Sequence, residues 1–329
     1  MKVAIFGTKS WDKKYFLQEN NKFKHDLVFI EEHLNSMTSI LAQGCRAVCA
    51  FVNDELDGKC LRELSNLKIK TVAMRCAGFN NVNLSAASAC NIKVANVPEY
   101  APHGVAEHAV TLILALNRKI YKAYNRVREG NFLLEGLLGF NLNTKTIGVV
   151  GTGKIGSIFC KIMTGFGCTV LAYDPYENEE CLKNGVTYSD LETLLNQSDI
   201  ISIHCPLTPS SHHFINEKSI SLMKDGVMLI NTSRGALIDA TAVIRSLKSG
   251  KIGYLGLDTY EEEAGLFFED ISNKIIADDT LARLLTFSNV LITGHQAFFT
   301  VNALENIAKT TLQNITDIEQ NKQCKNFLT

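Results

Sequence analysis

The chain has 329 residues, 46% of them hydrophobic, with 33 Lys and Arg against 34 Asp and Glu. That length is enough for two domains with a core each, and a balanced charge without any basic block excludes nucleic acid and anionic membrane as expected partners. Ten cysteines are scattered through strand and helix patterns, with no C-x-x-C pair and no zinc spacing among the histidines, which argues against a disulfide scaffold and a metal site and points to a reducing cytoplasm.

The opening MKVAIFG reads as a strand rather than as a signal sequence. Short β-branched runs at 3–6, 27–30, 47–52, 69–75 and 92–95 alternate with amphipathic stretches. That alternation predicts a parallel sheet covered by helices. After the breaks at Pro98 and Pro102, a long helix is predicted over 104–128, with Val105, Ala109, Leu112, Ile113 and Leu116 at helical spacing. Glu107 and His108 read as structural residues of that helix, and they interrupt an apolar run that is too short to span a bilayer. From residue 146 the strand pattern restarts, at 147–150, 169–173, 200–204, 227–231, 254–258 and 290–293. A last helix is expected over 303–319, returning to the first domain. The fold class is therefore α/β, with two Rossmann-like domains of parallel sheets flanked by helices and an active-site cleft between them.

The second α/β half carries a fingerprint. The run TIGVVGTGKIG ends a strand in three glycines, Gly151, Gly153 and Gly156, with Lys154 and Ile155 opening a helix. Gly151 permits a tight turn, Gly153 lets the backbone approach a pyrophosphate, and Gly156 lets the helix pack on the strand. The helix N-terminus then faces the anion with free N–H groups and the positive end of its dipole. Asp174, in LAYDPY, lies at the tip of the next strand. There it would accept hydrogen bonds from a ribose 2′-hydroxyl and repel a 2′-phosphate, which selects NAD over NADP. The expected division is a discontinuous substrate domain, 1–100 with 299–329, and an NAD-binding domain, 101–298.

Reactive side chains fall after strands of that second half. Arg234 in NTSRGALID offers a bidentate fork to a keto-acid carboxylate or a donor to the carbonyl. Glu263 is one of three adjacent acids in LDTYEEEAG, and His295 follows a strand and a glycine in LITGHQAF. Together they would supply a proton donor, a charged group to orient it and an anchor for the substrate. His204 reads as a cleft residue, Arg75 as a brace for its loop, and His212 and His213 as solvent-facing loop residues.

RCAGFNNV at 75–82, VPEYAPHGVAEHAV at 97–110, GTGKIG at 151–156, HCPLT at 204–208, NTSRGALID at 231–239, Glu269-Asp270 and TGHQAF at 293–298 carry a resemblance over essentially the whole chain. The sequence resembles the D-2-hydroxyacid dehydrogenases, and among them the fermentative D-lactate dehydrogenases. The resemblance implies that Arg234, Glu263 and His295 are catalytic, and it selects Glu263 as the acid five residues after Asp258. It further implies that Asp258 holds the nicotinamide carboxamide and that Cys205, Pro206, Thr232 and Ser233 line the cofactor site. Ala77 and Gly78 would present backbone N–H groups to the substrate carboxylate, and Tyr100 and Phe298 would wall the pocket. Asn83 and Glu99 depart from the family pattern near that loop.

By the same resemblance the reaction is reversible hydride transfer between NADH and pyruvate, giving D-lactate. His295 serves as acid and base, Glu263 favours its imidazolium form, and domain closure excludes water. Two other readings fit these residues: a dehydrogenase for a bulkier 2-keto acid such as phenylpyruvate or 2-ketoisocaproate, or for hydroxypyruvate, and an NADH-sensing corepressor. A homodimer or homotetramer is implied, with the apolar face of the long helix as the expected contact.

Overall fold

The computed structural model describes residues 1–263 and 265–329. The chain forms two compact units, Met1–Ala101 with Phe299–Thr329, and Pro102–Phe298.

In the first unit, β1 (Lys2–Ile5), β2 (Asp26–Phe29), β3 (Ala47–Ala50), β4 (Thr71–Met74) and β5 (Lys93–Ala95) form one parallel sheet in the order β2-β1-β3-β4-β5. The central strands AVCA and TVAM are buried throughout, as a parallel sheet covered on both faces requires. Side chains alternate between those faces. Val3, Ile5, Ala47, Cys49 and Ala73 meet Tyr15 and Phe16 of the helix Ser10–Phe23, and Leu304, Ala308, Leu312 and Ile315 of the helix Val301–Glu319. Ala4, Phe6, Val48, Ala50, Val72 and Met74 pack with Cys60, Leu61 and Leu64 of the helix Gly58–Asn66. Thr300 caps the last helix by accepting Ala303 N–H, and each leucine that this helix buries contributes about 1.5–3 kcal/mol.

The second unit holds β6 (Thr146–Val150), β7 (Thr169–Tyr173), β8 (Thr187–Tyr188), β9 (Ile200–Ile203), β10 (Val227–Asn231), β11 (Ile252–Leu257) and β12 (Val290–Ile292). All pairs are parallel, in the order β12-β11-β10-β9-β6-β7-β8. The strand order reverses between β6 and β9, so the loops leaving those two strands border the crevice where such sheets bind ligands. The helices Pro102–Arg118 and Lys154–Gly165 cover one face with Leu112, Ile113, Leu116, Phe159 and Met163.

The continuous helix expected over 104–128 is two helices, Pro102–Arg118 and Ile120–Arg128, because Lys119 takes a left-handed backbone at φ 49°. The apolar face of the first lies in the core of its own unit rather than on the surface. The edge strand β8 was not foreseen. Among the described residues no helix is long and apolar enough to cross a membrane.

Candidate active site

The glycine loop leaves β6 at the switch point. Gly151 has φ +95°, and a Cβ there would lie 2.7 Å from Cys205 N. A Cβ on Gly156 would lie 1.9 Å from the Gly151 carbonyl oxygen. Both positions therefore need hydrogen as the side chain, whereas the space beside Gly153 is open. The helix beginning at Lys154 has no side-chain cap at Gly153, and a helix N-terminus of this kind suits an anion. Lys154 is exposed and Ile155 half-buried beside it. Asp174, after β7, accepts Thr152 N–H at 2.7 Å and Tyr176 N–H at 2.9 Å. The acid thus shapes the glycine loop as well as standing at its rim.

Cys205 and exposed Pro206 follow β9, and Thr232 and Ser233 follow β10. The Thr232 hydroxyl is buried without a protein partner, and Ser233 Oγ donates to Ile203 O at 2.9 Å. A cradle that a Cβ would fill, an uncapped helix start and an orphaned hydroxyl together fit a bound dinucleotide. Burial pushes the Cys205 thiol up to about 11. Burial also pushes His204 down to about 3. That ring hydrogen-bonds Ser202 Oγ at 2.8 Å and packs on Phe159, and its burial favours the neutral form.

Past β12, His295 adopts φ 51° and its Nδ1 lies 2.8 Å from Glu263 Oε1. The other Glu263 oxygen accepts Tyr260 N–H at 3.1 Å. Both oxygens are therefore engaged, and the ring is fixed through one nitrogen. Among the described residues no group hydrogen-bonds His295 Nε2. Phe268 and Phe298 flank the ring, the latter edge-on at 6.4 Å. Arg234 is exposed and reaches back to Ser233 O at 2.8 Å, while Asn231 Nδ2 donates to the Arg234 carbonyl at 2.8 Å. Its guanidinium has no carboxylate within ion-pair distance among the described residues.

Asp258 is fully buried. Its carboxylate accepts Thr293 Oγ1–H at 2.5 Å and the N–H groups of Gln296 and Ala297 at 2.9 Å, with His108 Nε2 at 3.4 Å. Burial opposes ionisation, yet the hydrogen bonds from His108, Thr293 and Ala297 outweigh it and hold this carboxyl below its usual range. What the Asp258 side chain holds is the segment carrying His295. His108 also reaches Thr293 Oγ1 at 3.0 Å. Sequence reasoning took His108 only as a structural residue of its helix and did not single out Thr293, and no local pattern links residues 185 positions apart.

In the first unit, Arg75 is buried and braces the ends of two strands. Nη2 donates to Gly7 O at 3.0 Å, Nε lies 3.5 Å from Asp12 Oδ1, and the guanidinium stacks on Phe51 at 4.8 Å. Two residues on, the Ala77 carbonyl accepts Asn96 Nδ2–H at 2.8 Å. Among the described residues the N–H groups of Ala77 and Gly78 have no protein acceptor, which leaves two adjacent donors. Tyr100 is half-buried, its carbonyl taking Asn306 Nδ2–H at 3.3 Å.

A doubly wound sheet with a dinucleotide cradle at its switch point and a carboxylate-oriented histidine on a neighbouring loop defines an NAD-dependent oxidoreductase. The chain belongs to the D-isomer specific 2-hydroxyacid dehydrogenases, whose NAD-binding-domain profile matches residues 110–297. It is 52% identical over 328 residues to the D-lactate dehydrogenase of Escherichia coli strain K12, covering 100% of both chains. The apo-structure of D-lactate dehydrogenase from Escherichia coli superposes with a TM-score of 0.93 at 49% identity over 100% of each chain. A pyruvate reductase structure from Chlamydomonas reinhardtii gives 0.95 at 44% identity, covering 99% of this chain and 98% of that one. The protein is thus an oxidoreductase acting on a CH–OH group with NAD as its cofactor.

Proposed function

We propose that the chain is a D-lactate dehydrogenase, interconverting pyruvate and D-lactate. The observation that carries the reading is the 2.8 Å contact between Glu263 and His295, which leaves Nε2 as the one ring nitrogen without a protein partner among the described residues. The names of the relatives in Escherichia coli and Chlamydomonas reinhardtii support pyruvate as the keto acid.

When bound, NADH supplies hydride to C2 of the keto acid. His295, protonated, gives its Nε2 proton to the carbonyl oxygen, and the neutral ring takes the hydroxyl proton in the reverse direction. Glu263 fixes the ring through Nδ1. Arg234, with a guanidinium not committed to a carboxylate, binds the substrate carboxylate or polarises the carbonyl, and fixes the reacting face. The N–H groups of Ala77 and Gly78 donate to the substrate carboxylate, and Tyr100 and Phe298 bound the pocket. Gly151, Gly153, Lys154, Ile155 and Gly156 carry the pyrophosphate, Asp174 the ribose, and Cys205, Pro206, Thr232, Ser233 and Asp258 the remaining cofactor wall.

The ten cysteines carry no disulfide, which suits a cytoplasmic location. A homodimer or homotetramer is supported by the exposed apolar side chains of residues 120–138.

NADH oxidation by the purified protein against pyruvate, 2-ketobutyrate, phenylpyruvate and hydroxypyruvate, with product chirality determined, tests the reading. The highest kcat/KM on pyruvate with D-lactate as product is expected. A preference for a bulkier acid would move the substrate assignment, and NADH binding without turnover would favour a sensor.

A further inference from the structure

Three ligating side chains meet on the surface of the second unit, apart from the residues used above. His212 and His213 stack with ring centroids 3.9 Å apart. Glu261 reaches both, with Oε2 2.8 Å from His213 Nε2 and Oε1 3.6 Å from His212 Nε2. One ligand atom from each residue lies within 4.8 Å of the others.

Consecutive residues of an extended chain point to opposite sides. Here the left-handed backbone of His213, φ 49°, accompanies two imidazoles stacked on one side of a turn. The turn is held in that shape. His213 N–H donates to Ala236 O at 2.8 Å, the His213 carbonyl accepts Asn216 Nδ2–H at 2.8 Å, and His212 N–H donates to Thr208 O at 3.0 Å. The imidazoles are therefore placed in advance, and a single carboxylate faces both of them.

We propose that His212, His213 and Glu261 form a surface site for a divalent transition ion, with Zn²⁺ as the ion that suits it. Two imidazoles and a carboxylate are a donor set that this ion takes, at about 2.0–2.2 Å from each atom, with water completing a tetrahedron. Those bond lengths put donor atoms about 3.3 Å apart, so modest side-chain rotations convert the present spacing into a coordination shell. The side chains are 51%, 34% and 30% exposed, which gives them room to turn and gives the ion an entry path. The ion acts as a clamp. Glu261 precedes Glu263 by two residues, and a Cβ on Gly235 would lie 2.1 Å from Glu261 N, so the segment carrying Glu263 already lies against the turn after Arg234. Occupancy would tie the 212–213 turn to that junction.

The test is titration of the purified metal-free protein at neutral pH, with Zn²⁺ by calorimetry and with Co²⁺ by absorption. One equivalent should bind, with cobalt d–d bands and no thiolate charge-transfer band. His212→Asn and His213→Asn should each weaken binding by at least about tenfold, since a lost ligand costs no less than a lost supporting residue. Asparagine tolerates the left-handed backbone at 213, and should His213→Asn fail to fold, His212→Asn carries the comparison. NADH turnover without metal should be retained in both. No stoichiometric binding by the wild type, unchanged affinity in the histidine variants, or a thiolate charge-transfer band would each overturn the assignment.

Discussion

Asp258 grips the chain around His295 with both its main chain and its side chain. Its carbonyl oxygen accepts His295 N–H at 2.7 Å, and its carboxylate accepts the N–H groups of Gln296 and Ala297 at 2.9 Å. The left-handed backbone at His295, φ 51°, costs a residue with a Cβ about 1–2 kcal/mol. Three bonds to a rigid buried residue offset that cost and aim the imidazole.

Asp258→Asn keeps the shape but sets an NH₂ group against an N–H donor. It should destabilise the protein by about 1.5–3 kcal/mol at neutral pH in urea denaturation, the range for hydrogen bonds to a charged group, and lower kcat. Burial opposes ionisation of Asp258, but the bonds from His108, Thr293 and Ala297 depress its folded-state value. Its contribution is therefore fully present above the unfolded carboxyl value near ~3.9 and is lost as pH falls through the lower folded value. The gap between variant and wild type should narrow in acid; a gap that stays constant with falling pH would remove the charge from the explanation.

Replacement of His295 by alanine removes the proton carrier and leaves the glycine loop untouched. kcat/KM should fall by at least about a hundredfold, with NADH affinity by fluorescence titration nearly unchanged. Loss of NADH binding would move His295 from proton transfer to cofactor binding. Glu263→Gln keeps the reach to Nδ1 but not the charge, and should lower kcat by about tenfold or more with little change in KM.

Asp174→Ala should have two separable effects. Loss of the carboxylate removes repulsion of a 2′-phosphate, so the ratio of kcat/KM for NADH over NADPH should fall by about tenfold or more. The Thr152 and Tyr176 N–H groups also lose their acceptor, so affinity for both cofactors should drop. An unchanged ratio would confine Asp174 to shaping the loop.

The glycine loop was legible in the sequence because its constraint is local. A Cβ 1.9 Å from a carbonyl oxygen can be avoided only by glycine at 156, whatever surrounds it. The buried strands were legible for a similar reason, since AVCA and TVAM are apolar runs that read the same in isolation. Lys119 gave no such warning. Lysine is a good helix former, and the chain turns there alongside contacts made from afar: the Asn117 side-chain amide bonds the backbone of Phe140 through both its Nδ2 and its Oδ1. The partnership of His108 with Thr293 and Asp258 was hidden likewise, as it joins a helix to two loops through the fold alone. Arg75 shows a third case, where the residue type suited either a substrate contact or a brace, and its burial against Phe51 and Gly7 shows the bracing contacts.

The apolar surface of the second unit carries the last prediction. Ile120, Tyr124 and Val127 lie along one face of the helix Ile120–Arg128, and Phe132, Leu133, Leu134 and Leu138 follow, all more than half exposed. The segment is folded back on the helix, with Arg126 Nη1 donating to Glu135 O at 2.7 Å and Lys119 Nζ to Leu138 O. Burial of each large side chain on a second copy would contribute about 1.5–3 kcal/mol, so an ordered apolar surface of this kind is suited to a contact between protomers. In sedimentation velocity the wild type should run as a dimer or tetramer at micromolar concentration. The double variant Leu134→Glu, Leu138→Glu sets four carboxylates at a two-fold contact and should shift the protein to a monomer that keeps its NADH binding. A wild type that sediments as a monomer, or a double variant that remains assembled, would place the contact elsewhere or remove it.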